Sequence, residues 1–65
     1  MILVEYFDRD GKLRIGKIVS KNNKGVFVEN WYTQKTIFIE FKNISKITND
    51  KNEWVKFYPE NKVLL

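Results

Sequence analysis

Side chains that commonly perform catalysis are scarce in this sequence. It has no histidine to transfer protons and no cysteine to act as a nucleophile. Neither of its serines, Ser20 and Ser45, lies in a glycine-flanked turn, and its three scattered glycines make no phosphate-binding loop. We therefore expect that the chain is not an enzyme and uses no cofactor.

A pair of carboxylates, Asp8 and Asp10, is the next candidate for chemistry. Hard cations need several more oxygen ligands, and the spacing of a calcium loop is absent. Aspartate followed by Gly11 is typical of a hairpin turn, with the glycine at positive φ. We expect a turn here and no metal site.

Cations and aromatic rings together can bind nucleic acid, since cations contact phosphates and rings stack on bases. The second and third predicted strands and their flanks carry such a set, namely Arg14, Lys17, Lys21, Lys24, Trp31, Tyr32 and Lys35. Lysines at solvent-facing positions also serve solubility alone. Non-catalytic binding of DNA or RNA through this basic hairpin is nevertheless our first functional prediction.

The adjacent rings of Trp31 and Tyr32 cannot both enter one core from an extended chain, because neighbouring residues point to opposite faces. We expect Trp31 to point inward and Tyr32 to point outward, where it would stack on the ligand.

A second candidate surface lies on the last predicted strand. If Val55 and Phe57 point inward, an outer row is formed by Trp54, Lys56 and Tyr58. Such a row, together with an edge strand, suits a protein partner, as in an inhibitor or adaptor encoded by a phage or mobile element. Self-association into a homo-oligomer is a third possibility, because the run "TIFIEF" is apolar on both faces.

Composition limits the chain to a single small domain spanning residues 1–65, with 12 Lys and Arg against 8 Asp and Glu and a formal net charge of +4. A basic excess of this size permits contact with an anionic surface. No stretch approaches the ~20 apolar residues that span a bilayer, so no membrane contact is expected. The start does not resemble a signal peptide, and we expect a cytoplasmic protein.

Turn signals divide the chain into five or six short strands. Runs rich in β-branched and aromatic residues cover residues 2–7, 12–20, 26–31, 36–41 and 53–58, and residues 63–65 could add another. Ile44 and Ile47 fit a 3₁₀ or α-helical turn as well as a bent strand. Gly16 breaks the alternation of its strand and predicts a β-bulge or sharp bend. We expect an all-β barrel of antiparallel strands with at most one short 3₁₀ or helical turn.

The predicted core consists of apolar residues from every strand: Ile2, Val4, Leu13, Ile15, Ile18, Val26, Val28, Ile37, Ile39, Phe41, Ile47, Val55 and Phe57.

The order of these elements resembles the SH3-like and Sm-like family of small β-barrels. The segment "TIFIEFKNISKI" is similar to the end of such barrels, where a strand leads into a short turn. The opening "ILVEYFDRDG", followed by Trp31-Tyr32, also resembles WYL-type domains. Thr33 stands where a WYL motif has leucine, and the chain lacks a histidine-bearing RNA-binding loop. The resemblance therefore implies the fold and no functional residue.

Overall fold

The strands of this protein are short and rich in β-branched and aromatic residues, which suit a pleated, half-buried surface. A computed structural model describes the whole backbone and all side chains except those of residues 62–64. Within that description the chain forms β1 (Leu3–Phe7), β2 (Leu13–Lys21), β3 (Gly25–Asn30), β4 (Thr36–Glu40), β5 (Ile44–Thr48), β6 (Trp54–Lys56) and two 3₁₀ segments, η1 (Phe41–Asn43) and η2 (Pro59–Leu64). The all-β prediction is confirmed, with two 3₁₀ segments where at most one was expected. The possible strand over residues 63–65 is wrong, because the backbone there belongs to η2 as far as Leu64.

All six described strands form one antiparallel sheet in the order β4-β3-β2-β1-β5-β6. Consecutive strands are neighbours except β4 and β5, because β5 pairs with β1 instead. Within the described chain no strand pairs with the outer edge of β4 or of β6, so the sheet is not closed. The architecture is a small antiparallel sheet compatible with the small β-barrel class. The described residues contain no helix long and apolar enough to cross a membrane.

One local device fixes several of the described turns. A side-chain oxygen accepts hydrogen bonds of 2.8 to 3.0 Å from backbone N–H groups two to four residues ahead, which holds the chain in a turn. The residues that supply this oxygen are Asp8, Asn22, Asn30 and Asn49. At the first of these turns Gly11 has the expected positive φ of 75°. The predicted hairpin turn at Asp8 is thus confirmed.

The core of the described chain lies on the inner face of the bent sheet. Its buried apolar residues come from four strands, from η1 and from the segment after β6: Val4, Tyr6, Val26, Val28, Ile39, Phe41, Ile44, Ile47 and Phe57. Ile2 and Ile18 pack against this cluster as partly buried neighbours. Tyr6 and Ile44 were missing from the predicted core. Tyr6 shares the inner face with Val4 by strand alternation, and it pairs with Ile44 in register.

Two residues of β2 that were predicted in the core lie on the outer face of the sheet instead. Leu13 is exposed and Ile15 only half-buried, because the β1–β2 register pairs them with Phe7 and Glu5 on the outer face. Alternation correctly placed Leu13 and Ile15 on the same face of β2, but that face points toward solvent and not toward the core. The inner face of β2 is formed instead by the alternate residues, including Gly16.

Ile37 and Val55 were also expected in the core, and this prediction is wrong for a different reason. Both lie on the inner face, opposite buried Val28 and Ile47, yet they are 39% and 37% exposed. They occupy the two edge strands of an open sheet, where no further strand covers them. Alternation predicts the face of a residue but not its distance from an edge.

Gly16 is buried, but the bulge predicted there lies elsewhere. The β2–β3 register shifts between Ile18 and Ser20, which places the irregularity at Val19. Gly16 itself pairs regularly with strands on both sides. A Cβ at this position would collide with the Val28 side chain and stand 2.6 Å from the carbonyl oxygen of Glu29. The glycine is therefore required for close packing of β2 on β3.

Candidate nucleic-acid interface

Residues 30–35, called here the aromatic turn, connect β3 to β4. The Asn30 N–H donates to the Lys35 carbonyl at 2.9 Å, and the Gln34 N–H donates back to the Asn30 carbonyl at 2.9 Å. The Asn30 Oδ1 accepts from the N–H groups of Tyr32 and Thr33 at 2.9 and 3.0 Å. Gln34 completes the turn in the left-handed region, with φ of 62°. These bonds give the segment one defined conformation.

The aromatic turn is also tied to the core through a single side chain. The Asn30 Nδ2 donates to the Tyr6 hydroxyl at 3.0 Å, and Tyr6 is fully buried. One asparagine thus uses its oxygen to shape the turn and its nitrogen to bind the core. We infer that the position of the turn relative to the sheet is fixed in the free protein.

Both rings of the aromatic turn point into solvent. Trp31 is 55% exposed and Tyr32 is 82% exposed, so the expectation that Trp31 points inward is wrong. β3 ends at Asn30, and strand alternation therefore does not apply to the next residue. The Trp31 N–H donates to the Ile15 carbonyl at 2.9 Å, which anchors the backbone and leaves the ring outside.

A shallow cavity of about 300 Å³ lies beside the Trp31 ring, within the size range of small-ligand sites. Its lining combines an aromatic ring, an ammonium group, hydrogen-bonding side chains and a methionine: Met1, Lys17, Glu29, Asn30, Trp31 and Gln34. Lys17 lies directly opposite Glu29 in the β2–β3 register. A planar heterocycle could stack on the ring here while the polar groups bond its edge.

The structure separates the predicted basic residues into groups. Lys35 belongs to the aromatic turn and Lys17 lines its cavity. Lys21 and Lys24 flank the β2–β3 turn, which lies at the opposite end of β3. That strand has six residues and so spans roughly 20 Å. The aromatic rings are therefore close to Lys17 and Lys35 but not to the other two lysines.

Arg14 is engaged in an ion pair. Its Nε donates to the Asp8 Oδ2 at 2.8 Å. This hydrogen bond is the main reason that the pKa of Asp8 lies below its usual value, and the hydrogen bond from the Lys12 N–H is the second. Asp8 in turn raises the pKa of Arg14. The guanidinium thus stabilises the β1–β2 turn, and a phosphate would have to share it with a carboxylate.

The three residues of the second candidate surface, Trp54, Lys56 and Tyr58, are all exposed. Trp54 and Tyr58 are 43% and 45% exposed, and the Lys56 Nζ lies 5.3 Å from the centre of the Tyr58 ring. Lys56 also faces Lys46 directly across the β5–β6 register. As expected, Phe57 is buried; Val55 is not.

Sequence reasoning missed the polar residues that build the aromatic turn, above all Asn30. Its signal was available, because Asn30 stands two and three residues before the N–H groups that it caps, as Asn22 does in its own turn. The contributions of Met1 and Gln34 depend on tertiary packing, and no pattern in the chain points to them.

Within the described residues no three acidic, histidine or cysteine side chains come together as metal ligands would. Comparison with known proteins gives no significant match to a family model, to a curated protein or to a solved structure. A function must therefore be inferred from the surface of the chain itself.

Proposed function

We propose that this protein is a non-catalytic module that binds single-stranded nucleic acid through the aromatic turn. The observation that supports the proposal best is the exposure of two adjacent rings, Trp31 and Tyr32, on a turn fixed by hydrogen bonds. Exposed large aromatics add nothing to a core, and a 65-residue chain has little apolar surface to spare. Rigid rings lose little conformational entropy when a base stacks on them.

In this proposal the cavity beside Trp31 receives one base. The ring stacks on the face of the base, and Gln34 and Glu29 bond its edge. Lys17 and Lys35 contact the flanking phosphates. Tyr32, the more exposed ring, stacks on a neighbouring base. A single strand suits this arrangement because its bases are free to leave the stack. Parallel titrations with DNA and RNA of the same sequence distinguish the two ligands.

We further infer that the sheet belongs to the SH3-like class of small barrels. Support comes from the strand order β4-β3-β2-β1-β5, with β1 between β2 and β5, and from the 3₁₀ turn η1 before β5. We also propose a cytoplasmic location, where single-stranded nucleic acid is found.

The separation of the lysines makes the salt dependence of binding informative. For single strands the slope of log K against log salt is about −0.7 per phosphate contacted. Two contacts, from Lys17 and Lys35, give a slope of about −1.4 and a roughly sevenfold loss of affinity between about 50 and 200 mM salt. All five predicted cations acting together would give about −3.5 and a roughly 130-fold loss.

The proposal is tested by comparing two double variants, one beside the aromatic turn and one at the opposite end of β3. We expect Lys17→Gln with Lys35→Gln to weaken binding and bring the slope close to zero. The matched control, Lys21→Gln with Lys24→Gln, removes the same charge and should leave the slope unchanged. Equal effects of both pairs would show that net charge alone drives binding. Absence of any binding at low salt would reject the proposal and favour a protein partner at Trp54, Lys56 and Tyr58.

A further inference from the structure

A groove lies along the free edge of β4, where the sheet does not close. Its volume is about 720 Å³, which lies in the range of ligand-binding clefts. Apolar side chains form much of its lining, namely Phe7, Ile37, Phe38 and Ile39, and the β1–β2 turn forms the opposite wall. Phe38 also contacts Phe27 across the β3–β4 pair, with ring centres 5.1 Å apart. The groove thus has an apolar surface beside an edge strand.

The backbone of β4 offers hydrogen-bonding groups to this groove. At the two ends of the β3–β4 ladder, the Asn30 N–H donates to the Lys35 carbonyl and the Phe41 N–H donates to the Lys24 carbonyl, in one continuous register. In an antiparallel pair, residues that bond the partner strand alternate with residues that point away. Thr36, Phe38 and Glu40 are the alternate residues, so their N–H and C=O groups face the open edge.

The rim of the groove is acidic, although the whole chain has a net charge of +4. Asp8, Asp10 and Glu40 line it together with a single cation, Arg9. Arg14 pairs with one of these carboxylates, and Lys42 lies 3.9 Å from another. Asp8 is thus offset by Arg14 and Glu40 more weakly by Lys42, whereas Asp10 is exposed at the turn and has no ion pair within the described part of the chain. A cation of a partner would pair with Asp10 and with the exposed side of Glu40.

We propose that the groove binds an extended peptide segment in which apolar and cationic side chains alternate. The segment adds to β4 as a further strand, bonded to the backbone of Thr36, Phe38 and Glu40. Its apolar side chains contact Phe38 and its neighbours, and its cations contact the acidic rim. This site is separate from the aromatic turn, and the inference does not depend on nucleic-acid binding.

Glu40 provides the sharpest test because its backbone already suits proline. Its φ is −67°, the value that proline imposes, and its N–H faces the groove, so Glu40→Pro removes one donor without disturbing the β3–β4 ladder. Glu40→Gln removes the charge and keeps the donor. Asp10→Asn removes a rim charge, and Asp50→Asn is the matched control in the turn between β5 and β6.

The probes are capped peptides of about seven residues, the length of a typical strand, in which lysine alternates with valine, isoleucine or phenylalanine. Matched peptides carry glutamate in place of lysine. We expect a lysine peptide to shift the amide NMR signals of residues 36–40 and 8–11. Glu40→Gln and Asp10→Asn should each weaken binding about twofold or more, and Glu40→Pro should weaken it further, to about tenfold overall, since a hydrogen bond is also lost. Asp50→Asn should bind as the unmodified protein does.

Three results would overturn the inference. The first is the absence of shifts at residues 36–40 with every lysine peptide at about 1 mM, the concentration at which weak binding is still detected. The second is equal binding of the glutamate peptides. The third is a dimer in sedimentation experiments that Glu40→Pro dissociates, which would assign the edge to a second copy.

Discussion

The hydrogen bond between Tyr6 and Asn30 should control both the stability of the fold and the order of the aromatic turn. Tyr6→Phe removes the hydroxyl that accepts from the Asn30 Nδ2 at 3.0 Å and leaves the buried ring in place. Asn30 is only half-buried, so water can replace part of the lost bond. We expect a loss of about 1 kcal/mol in the free energy of unfolding, typical of one hydrogen bond. In a domain of this size that corresponds to a fall in Tm of about 4 to 8 °C.

Asn30→Ala should lower the free energy of unfolding more than Tyr6→Phe does, because it removes both the cap of the aromatic turn and the partner of the Tyr6 hydroxyl. The turn loses the oxygen that caps the N–H groups of Tyr32 and Thr33, at about 0.5 to 2 kcal/mol by analogy with helix caps. The buried Tyr6 hydroxyl also loses its partner, at about 1 to 3 kcal/mol. We expect a total of about 1.5 to 5 kcal/mol in the free energy of unfolding. Asn30→Asp is the matched control, since its carboxylate keeps the cap and can accept a hydrogen bond from Tyr6.

Urea unfolding of these variants and of the double variant Tyr6→Phe, Asn30→Ala measures the coupling between the two residues. We expect the double variant to be about as stable as Asn30→Ala alone, because the bond between the two residues is already lost in that single variant. Amide exchange at Tyr32 and Thr33 should accelerate in Asn30→Ala. Strict additivity of the two substitutions, or an Asn30→Asp variant as unstable as Asn30→Ala, would refute the arrangement.

Two further predictions concern the sheet and its first turn. Gly16→Ala should destabilise the protein by about 1 to 3 kcal/mol in thermal unfolding, because the new methyl group meets Val28 and the Glu29 carbonyl; wild-type stability would contradict the close packing of β2 on β3. The folded-state pKa of Asp8 lies below 3.8, so its pairing with Arg14 should stabilise the fold at pH values above 3.8 and lose that effect as the pH falls through the folded-state pKa. Asp8→Asn should remove this acid-dependent part from a Tm profile, and an unchanged profile would argue against the ion pair.

Much of the fold was predictable because the residue types of most segments favour the strands and turns that those segments form. β-Branched runs and Asp8 with Gly11 predicted strands and a hairpin. Ile44 and Ile47 fitted either a helical turn or a bent strand, and both lie in β5, whose register with β1 is irregular between them. Which strands form the edges is a property of the whole sheet. The exposure of Ile37 and Val55 was therefore not predictable from alternation.

The candidate site was predicted in its residue types and less well in its arrangement. Trp31, Tyr32, Lys17 and Lys35 were chosen for their chemistry, and the structure brings them to one end of β3. The direction of the Trp31 ring depended on where β3 ends, and that boundary is set by the bonds of Asn30. A strand pattern alone cannot locate such a boundary.

Stacking of a base on Trp31 is the central claim, and fluorescence tests it most directly. Trp54→Phe leaves Trp31 as the only tryptophan of the chain, so its emission reports on the aromatic turn alone. We predict that a single-stranded oligonucleotide of about eight nucleotides changes this emission in a saturable way at about 50 mM salt. Trp31→Ala should then weaken binding by about 1 to 3 kcal/mol, the usual contribution of one stacked base. Unchanged Trp31 emission under conditions where the labelled oligonucleotide is bound, or no binding at all, would contradict the claim.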